Sequence, residues 1–387
     1  MLQSKLPKVG INIFSQVSKL ANEYQAINLG QGFPDYSMNP ELTACVNEAM
    51  KNGYNQYTPM EGYMPLRNVI AEKVNKAYGC NVQPTINVTI TPGGTYAIYC
   101  AITAIINPGD EVIVFEPAYD SYVPNIELNG GKVVPVKLEH PSYAINWDLV
   151  ETVISNKTRL IIINTPHNPS GSILSANDME QLAKIIEGKD IYIVSDEVYE
   201  HLIFDNHVHE SVLKYPALAS RAFVCFSFGK LFDCTGWKIG YCIAPENLSA
   251  ELRKIHQYNC FSVNSAMQAG IANFMQHNSS YTQINIELQK KRDLLRRLMK
   301  ENTPFELLAS KGTYFELYSY AHLSDLSDVE MVNKLIKECG VAAIPASAFY
   351  SNAVVDNKVI RLCFAKKEST LMEAAQRLKQ FEEYLLM

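Results

Sequence analysis

The residues around one lysine, at the end of a short apolar run, are the part of the sequence that indicates most about its chemistry. Lys230 follows the run 222–226, with Ser227 three residues before it and a second cation, Lys238, eight residues after it. A lysine in this position can form an imine with an aldehyde, and a hydroxyl with a nearby cation can hold a phosphate. The spacing indicates a cofactor with both groups, which is typical of pyridoxal phosphate.

Two further polar clusters follow two other apolar runs of the chain. The clusters span residues 164–171 and 195–199. In an open α/β sheet, ligands lie beyond the carboxyl ends of the strands, so segments that are distant in sequence are expected to converge there. Asp196 is expected to keep the pyridine nitrogen protonated, which lets the ring accept electrons. Tyr199 and Asn168 are expected to hydrogen-bond to the phenolic oxygen of the ring.

The glycine turn at residues 91–95 is a second candidate phosphate site. It opens a helical stretch, so the free N–H groups of Gly94 and Thr95 and the positive end of the helix dipole suit an anion. Taken in isolation, the turn is better interpreted as structural, a plain glycine turn with Thr95 capping the helix. Tyr119, at the start of another helix, could stack on the pyridine ring or could simply pack.

Short β-rich runs alternate with helical stretches between residues 88 and 244. The strand candidates are residues 87–91, 111–115, 133–138, 159–164, 191–195, 222–226 and 240–244. Because these runs are apolar throughout, they favour a mostly parallel sheet that is covered on both faces. Helices such as 96–106 and 175–187, the latter with Ser175 as N-cap, are predicted to supply the cover.

The pattern changes after residue 244, where helices dominate. Helices are predicted at 247–259, 264–276, 279–301, 328–339 and 369–385, with strands at 313–317 and 358–364. We interpret this part as a smaller α+β domain. The expected division is a large cofactor-binding domain at 41–279 and a small domain formed by 1–40 with 280–387.

Composition limits the classes of function. The chain has 387 residues, 47% of them apolar, and a net charge of −6, which gives no reason to expect nucleic acid as a partner. No secretory signal or membrane-length apolar run is apparent. The nine cysteines are scattered without a CxxC pair, which indicates reduced thiols in a cytoplasmic protein. No metal site is predicted.

Taken together, these residues resemble the class I aminotransferases of pyridoxal-phosphate fold type I, over nearly the whole chain. The resemblance implies a large domain with a mostly parallel seven-stranded sheet between helices, and a homodimer with shared active sites. It also implies roles for residues that local patterns leave open. Gly32 would lie beside the substrate carboxylate, Arg361 would bind that carboxylate, and Tyr57 would reach the phosphate of the neighbouring subunit. Ser227 and Lys238 would be phosphate ligands, although many members have arginine at the position of Lys238.

Within this family, methionine aminotransferases and kynurenine/glutamine transaminases are the most similar. The resemblance implies transfer of the amino group of methionine or of an aromatic or neutral amino acid to a 2-oxo acid. Phe14, Tyr57 and Phe261 could form an aromatic pocket wall, since thioether sulfur contacts rings favourably. Phe14 and Phe261 could equally be packing at a subunit interface. Asn168 is a further candidate substrate contact.

Three other functions compete with this hypothesis. The alternative transaminase would act on kynurenine or glutamine and have β-lyase activity on cysteine S-conjugates, because the same carbanion can expel a leaving group. A non-catalytic domain of the same fold would be expected to lack Lys230 or Asp196, and both are present. A dinucleotide-dependent oxidoreductase would need a GxGxxG motif after a strand, which the chain does not contain.

Overall fold

The structure is a computed structural model that describes residues 3–7, 9–308, 310–351 and 355–381. Its strands are β1 Ile27–Asn28, β2 Val88–Thr91, β3 Glu111–Glu116, β4 Lys132–Lys137, β5 Thr158–Asn164, β6 Tyr192–Asp196, β7 Ala222–Ser227, β8 Gly240–Ile243, β9 Glu306–Leu308, β10 Phe315–Ser319, β11 Val341–Ala342, β12 Ile344–Pro345 and β13 Val359–Cys363. Its helices are α1 Ile13–Glu23, α2 Pro40–Lys51, α3 Met64–Tyr78, α4 Pro84–Asn87, α5 Gly94–Ile105, α6 Tyr122–Leu128, α7 Trp147–Val153, α8 Ala176–Ile186, α9 Pro216–Ala219, α10 Phe228–Leu231, α11 Glu246–Asn259, α12 Ser265–His277, α13 Ile284–Asn302, α14 Asp328–Lys334 and α15 Glu368–Leu378.

A seven-stranded sheet forms the centre of the molecule. Its strand order is β2-β8-β7-β6-β5-β3-β4, and the neighbours from β7 through to β4 run parallel. Only β8 runs antiparallel to its neighbours, β7 and β2. The seven strands are the seven runs predicted from the sequence, so the expected fold class is confirmed.

Both faces of the inner strands β5, β6 and β7 are buried, which explains why these strands are largely apolar, whereas the edge strand β4 is partly exposed. Alternate residues of β5 belong to different clusters: Leu160 and Ile162 pack in the cluster that contains α5, and Ile161 and Ile163 pack in the cluster that contains α8. A strand with one exposed face would alternate apolar and polar residues instead. Helix α8 begins as predicted, with Ser175 and Asp178 forming a capping box.

A second hydrophobic cluster surrounds a four-stranded antiparallel sheet of order β12-β13-β10-β9. The N-terminal segment packs into this cluster through Val17, Ala21 and Leu29. Strand β1 pairs in parallel with β11, with Ile27 opposite Val341. The first residues of the chain are therefore held against its last third, and they bring Phe14 and Gly32 to the edge of the large sheet.

Some predicted boundaries after residue 244 were wrong by a few residues. The strand predicted at 313–317 begins at Phe315, because Thr313 has a left-handed backbone with φ 66°. The long helix predicted from 279 starts as a 3₁₀ turn at Ser280–Gln283. The helix predicted at 328–339 ends as α-helix at Lys334 and continues as a π turn. The last part of the helix predicted at 369–385 lies outside the described residues. No helix within the described ranges is long and apolar enough to cross a membrane.

Candidate functional site

A cavity of about 500 Å³ lies at the carboxyl ends of the parallel strands, between the large sheet and the second cluster. Its volume is within the range typical of small-molecule sites. The sequence-predicted residues that line it are Phe14, Gly32, Gly94, Thr95, Tyr119, Asn168, Asp196, Tyr199, Ser227, Lys230, Lys238 and Arg361. The convergence expected from the three polar clusters therefore occurs, because β5, β6 and β7 are neighbours in the sheet.

Lys230 projects into this cavity from the short helix α10, directly after β7. Its Nζ donates a hydrogen bond to Tyr314 Oη at 2.6 Å and lies 3.4 Å from the carbonyl oxygen of Gly32. Burial lowers the pKa of Lys230 to about 8, and the charges of Lys238 and Arg361 act in the same direction. An amine with a pKa near neutrality can act as a nucleophile and as a proton carrier.

Asp196 ends β6 and is 3% exposed. Burial raises the pKa of its carboxyl group to about 6, although hydrogen bonds from Tyr122 and from the backbone of Val198 oppose this shift. Tyr122 Oη donates to Asp196 Oδ2 at 2.6 Å and fixes the orientation of the carboxylate. A buried carboxylate of this kind gains most from a cationic partner, such as a protonated ring nitrogen.

The start of helix α5 is built for a group that approaches the backbone closely. Gly93 has φ 86° and provides no side-chain cap, so the first N–H groups of the twelve-residue helix have no capping side chain within the described part of the chain. A Cβ on Gly94 would lie 2.7 Å from Val198 Cγ1, and one on Gly93 would lie 3.6 Å from Lys238 Nζ. Lys238 itself adopts a left-handed conformation, with φ 51°, that brings its amine to this turn. The arrangement suits a phosphate.

Two aromatic side chains complete the walls on either side. Tyr119 Oη is 3.1 Å from Thr95 Oγ1, and the Tyr119 ring packs edge-on against Tyr122 with centroids 5.6 Å apart. The ring of Tyr199 packs edge-on against Tyr314, with centroids 5.3 Å apart. Both hydroxyl groups have a raised pKa because of burial, so each remains a neutral hydrogen-bond donor.

Arg361, on β13, is 2% exposed and lies among aromatic rings. Its Nη1 donates to Asn168 Oδ1 at 2.8 Å and its Nη2 donates to the carbonyl oxygen of Gly30 at 3.0 Å. The guanidinium carbon lies 3.8 Å from the ring centroid of Phe315 and 5.4 Å from that of Phe14. Burial lowers the pKa of Arg361 to about 10.

One donor of this arginine has no partner. Among the described residues, Nε of Arg361 is buried without a hydrogen bond. An unpaired buried donor on a guanidinium is costly unless an acceptor arrives. A carboxylate ligand matches this geometry, because guanidinium and carboxylate groups pair through two parallel hydrogen bonds.

Tyr57 is the predicted site residue that the single chain does not bring to the cavity. It is 81% exposed, and its ring packs edge-on against Phe261 at 5.3 Å between centroids. Phe261 is itself 44% exposed and does not line the cavity. The two aromatic residues form an exposed pair on the surface, and their assignment to a pocket wall stays a prediction.

Sequence reasoning missed several residues of the site. Tyr122 supports Asp196, Tyr314 contacts Lys230, and Phe315 stacks on Arg361. The spacing between Tyr119 and Tyr122, three residues apart on one short segment, could have indicated Tyr122. Nothing local connects residues 314 and 315 to the lysine or the arginine.

The side chains present fit pyridoxal phosphate on three independent observations. Lys230 provides a partly buried amine, and the first N–H groups of α5 with Ser227 and Lys238 provide an anion site. Asp196 provides a buried carboxylate that forms no ion pair with any residue that the structure describes. An aldehyde, a phosphate and a basic ring nitrogen are the three groups that such a set would bind.

Comparisons with known proteins agree with this chemistry. Residues 24–378 match the family described as aminotransferase class I and II. The methionine aminotransferase of Escherichia coli is 46% identical, with 98% of each chain covered. The crystal structure of YbdL from Escherichia coli, described as having a methionine aminotransferase function, superposes with a TM-score of 0.96 at 45% identity, covering 98% of this chain and 99% of that one. Kynurenine–oxoglutarate transaminase 1 of Rattus norvegicus is 32% identical, with 98% of this chain and 97% of that protein covered.

Proposed function

The chain belongs to the class I and II aminotransferases, and from this premise we propose that it transfers the amino group of methionine, or of an aromatic or neutral amino acid, to a 2-oxo acid. The observation that carries the proposal is the single cavity in which Lys230, Asp196 and Arg361 meet. The 46% identity to a methionine aminotransferase over the whole chain supports the choice of amino donor.

The residues divide the work of binding and proton transfer. Pyridoxal phosphate, when bound, supplies an aldehyde and an electron-accepting ring that stabilise the charge left on the α-carbon of an amino acid. Lys230 would hold the cofactor covalently and, once free, its Nζ would carry the α-proton as general base and then general acid, for which a pKa near 8 is suited. Asp196 would accept a hydrogen bond from the protonated ring nitrogen, while Tyr199 and Asn168 would donate hydrogen bonds to the ring oxygen. Tyr119 would cover the ring face.

Arg361 binds the α-carboxylate of the substrate, with the backbone at Gly32 alongside. Because a Cβ on Gly32 would lie 2.7 Å from Phe315 Cζ, only glycine leaves the ring of Phe315 free to stack on the arginine. The amino donor and the 2-oxo acid acceptor carry the same carboxylate and use the same arginine in turn. Ping-pong kinetics are therefore expected.

The side chain of the substrate is proposed to lie against Phe14. The ring of Phe14 packs edge-on against Phe349 at 5.7 Å between centroids and lines the cavity beside Arg361. The cations that line the cavity are Lys230, Lys238 and Arg361, each with a role at the cofactor or the α-carboxylate. A neutral apolar side chain on the substrate therefore matches the part of the cavity beside Phe14.

The test joins a chemical readout to a substrate profile. Borohydride reduction of the protein supplied with pyridoxal phosphate should add the cofactor mass to the peptide that contains Lys230, and Lys230→Ala should show no adduct. Single-turnover absorbance changes should be fastest with methionine or an aromatic amino acid. A strong response to aspartate with none to methionine would contradict the proposed donor.

A second candidate is a kynurenine/glutamine transaminase with β-lyase activity, supported by the 32% identity to the rat enzyme. Pyruvate and ammonia released from a cysteine S-conjugate without an oxo-acid acceptor would favour it over the first proposal.

We further propose a homodimer in which Tyr57 reaches the phosphate of the other subunit. The support is a set of exposed aromatic side chains: Tyr57, Tyr258 and Phe261 are 81%, 88% and 44% exposed, and the rings of Tyr57 and Phe261 pack against each other. Exposed aromatic groups of this kind are typical of interfaces.

The chain is also proposed to divide into two domains, a large one of residues 41–279 and a small one of residues 1–40 with 280–387. A cytoplasmic location is proposed because all nine cysteines are free thiols.

A further inference from the structure

We infer that Asp120 is a specificity-determining residue: its carboxylate, at the outer part of the cavity, disfavours amino acids with an anionic side chain. The inference rests on the proposed function and deepens it, because it names the substrate class that this site rejects. It concerns a residue for which neither the sequence patterns nor the family resemblance provided a role.

The cavity contains two carboxylates and they lie in different places. Asp196 is buried at the end of β6, whereas Asp120 is partly exposed on the segment between β3 and α6, directly after Tyr119. Both residues line the cavity. Because Asp196 is proposed to face the ring nitrogen of the cofactor, Asp120 is the lining carboxylate that is left to face the substrate.

Asp120 is held beside the aromatic wall by the N-terminal segment. Asn12 Nδ2 donates to Asp120 Oδ2 at 2.7 Å, while Asn12 Oδ1 accepts the backbone N–H of Phe14 at 2.7 Å and caps helix α1. One side chain thus ties the carboxylate to the residue against which the substrate side chain is proposed to lie. The charge of Asp120 is also close enough to Arg361 to act on its pKa, in the direction opposite to burial.

The electrostatic consequence depends on the side chain of the substrate. With the α-carboxylate on Arg361 and the side chain against Phe14, a second carboxylate would approach Asp120. Two like charges in a partly desolvated cavity repel more strongly than in water. A thioether or an aromatic ring has no such penalty and gains a contact with the ring of Phe14.

The test compares the ratio of kcat/KM for glutamate to that for methionine in the wild-type holoenzyme and in Asp120→Asn. The amide still accepts from Asn12 but has no charge. The ratio is expected to rise about tenfold, because the variant removes the repulsion between two nearby carboxylates. The wild-type ratio is expected to increase with salt concentration, since salt screens that repulsion, whereas the variant ratio should not change. Asp148→Asn, an exposed residue outside the cavity, controls for net charge and should leave the ratio unchanged.

A second variant separates charge from closure of the cavity. Asn12→Ala removes the hydrogen bond to Asp120 and the cap of helix α1 but keeps the carboxylate, so the ratio should rise by clearly less than in Asp120→Asn. Calorimetry gives a readout without turnover: glutarate should bind more tightly to the Asp120→Asn holoenzyme than to wild type, relative to 4-(methylthio)butanoate. An unchanged ratio in Asp120→Asn, or an equal rise in Asn12→Ala, would overturn the inference. If kcat/KM of the wild-type enzyme is higher for glutamate than for methionine, that result contradicts the proposed function, whatever the effect of Asp120→Asn.

Discussion

At the scale of single residues, burial moves the two main titrating groups of the site toward neutral pH from opposite sides. Lys230 loses basicity, with its pKa near 8, and Asp196 loses acidity, with its pKa near 6. Both shifts have the same cause, because desolvation penalises whichever form is charged. Ionisation of the buried Asp196 carboxyl group is therefore expected to lower the stability of the folded protein, and that effect can be measured.

Asp196→Asn should make the cofactor-free protein more stable at pH 8. The pKa of Asp196 is raised on folding, so its unfavourable contribution develops as the pH rises from about 3.8 through about 6 and is fully present at pH 8. A shift of roughly two units corresponds to about 3 kcal/mol. Thermal unfolding of the cofactor-free protein should show a higher midpoint for the variant at pH 8, with Asp148→Asn as a surface control. A lower midpoint would show that the carboxylate already has a compensating partner.

Tyr314→Phe should lower the pKa of Lys230 further. Tyr314 Oη accepts a hydrogen bond from Nζ, and an acceptor stabilises the ammonium form. The measurement is the pH dependence of amine labelling at Lys230 in the cofactor-free protein, followed by mass spectrometry. Tyr318→Phe is the matched control, because Tyr318 lies on β10, the strand that directly follows Tyr314, and its buried hydroxyl has no hydrogen-bond partner among the described residues. If the pH midpoint of amine labelling is the same in wild type and Tyr314→Phe, Tyr314 does not influence the pKa of Lys230.

At the scale of elements, a buried ion pair connects helix α3 to the segment that follows β6. The side chains of Lys73 and Glu200 are 7% and 6% exposed and contact each other directly. Tyr241 Oη receives a hydrogen bond from Lys73 Nζ at 3.0 Å, and Tyr78 Oη also donates to Glu200. Because Glu200 follows Tyr199, the pair holds the back of the segment that presents Asp196 and Tyr199 to the cavity.

Lys73→Met should destabilise the protein by about 3–5 kcal/mol, since removal of one partner leaves a buried charge without compensation. Burial alone would raise the pKa of Glu200, but the charges of Lys73 and His201 outweigh it and lower the value to about 2. The contribution of this group is therefore present above about pH 4.5 and is lost as the pH falls toward 2. Urea unfolding at pH 7 is the measurement.

Lys76→Met, at an exposed position on the same helix, should change the urea midpoint little. A loss of stability in Lys73→Met no larger than that in Lys76→Met would mean that the pair contributes nothing to the support of the segment.

At the scale of the whole molecule, the proposed dimer makes a prediction that a single chain cannot. Chains with Tyr57→Phe and chains with Lys230→Ala are each expected to be weakened or inactive on their own. Mixing them should restore activity, because one of the two hybrid sites would combine an intact Lys230 with an intact Tyr57 from the other chain. The measurement is transaminase activity after subunit exchange, with each variant mixed with itself as control. If exchange is demonstrated and no activity returns, Tyr57 does not serve the opposite site.

The large sheet and the position of the lysine were determined by local sequence. Short β-rich runs bounded by turns identified all seven strands, most clearly the inner ones, because a strand covered on both faces leaves a continuous hydrophobic signal. Since the carboxyl ends of parallel strands share one edge, Asn168, Asp196 and Lys230 could be placed together before the structure was known. The order of the strands in the sheet could not be predicted from the sequence and was seen only in the structure.

Only the tertiary structure decided the contacts between side chains that are remote in sequence. Lys230 contacts Tyr314, 84 residues away, Arg361 contacts Asn168 across 193 residues, and Asn12 contacts Asp120 across 108. Periodicity reports whether a residue is buried, but it does not report which buried residue lies opposite. That depends on how whole elements pack: the last third of the chain brings Tyr314 and Arg361 to the large sheet, and the N-terminal segment brings Asn12 to Asp120.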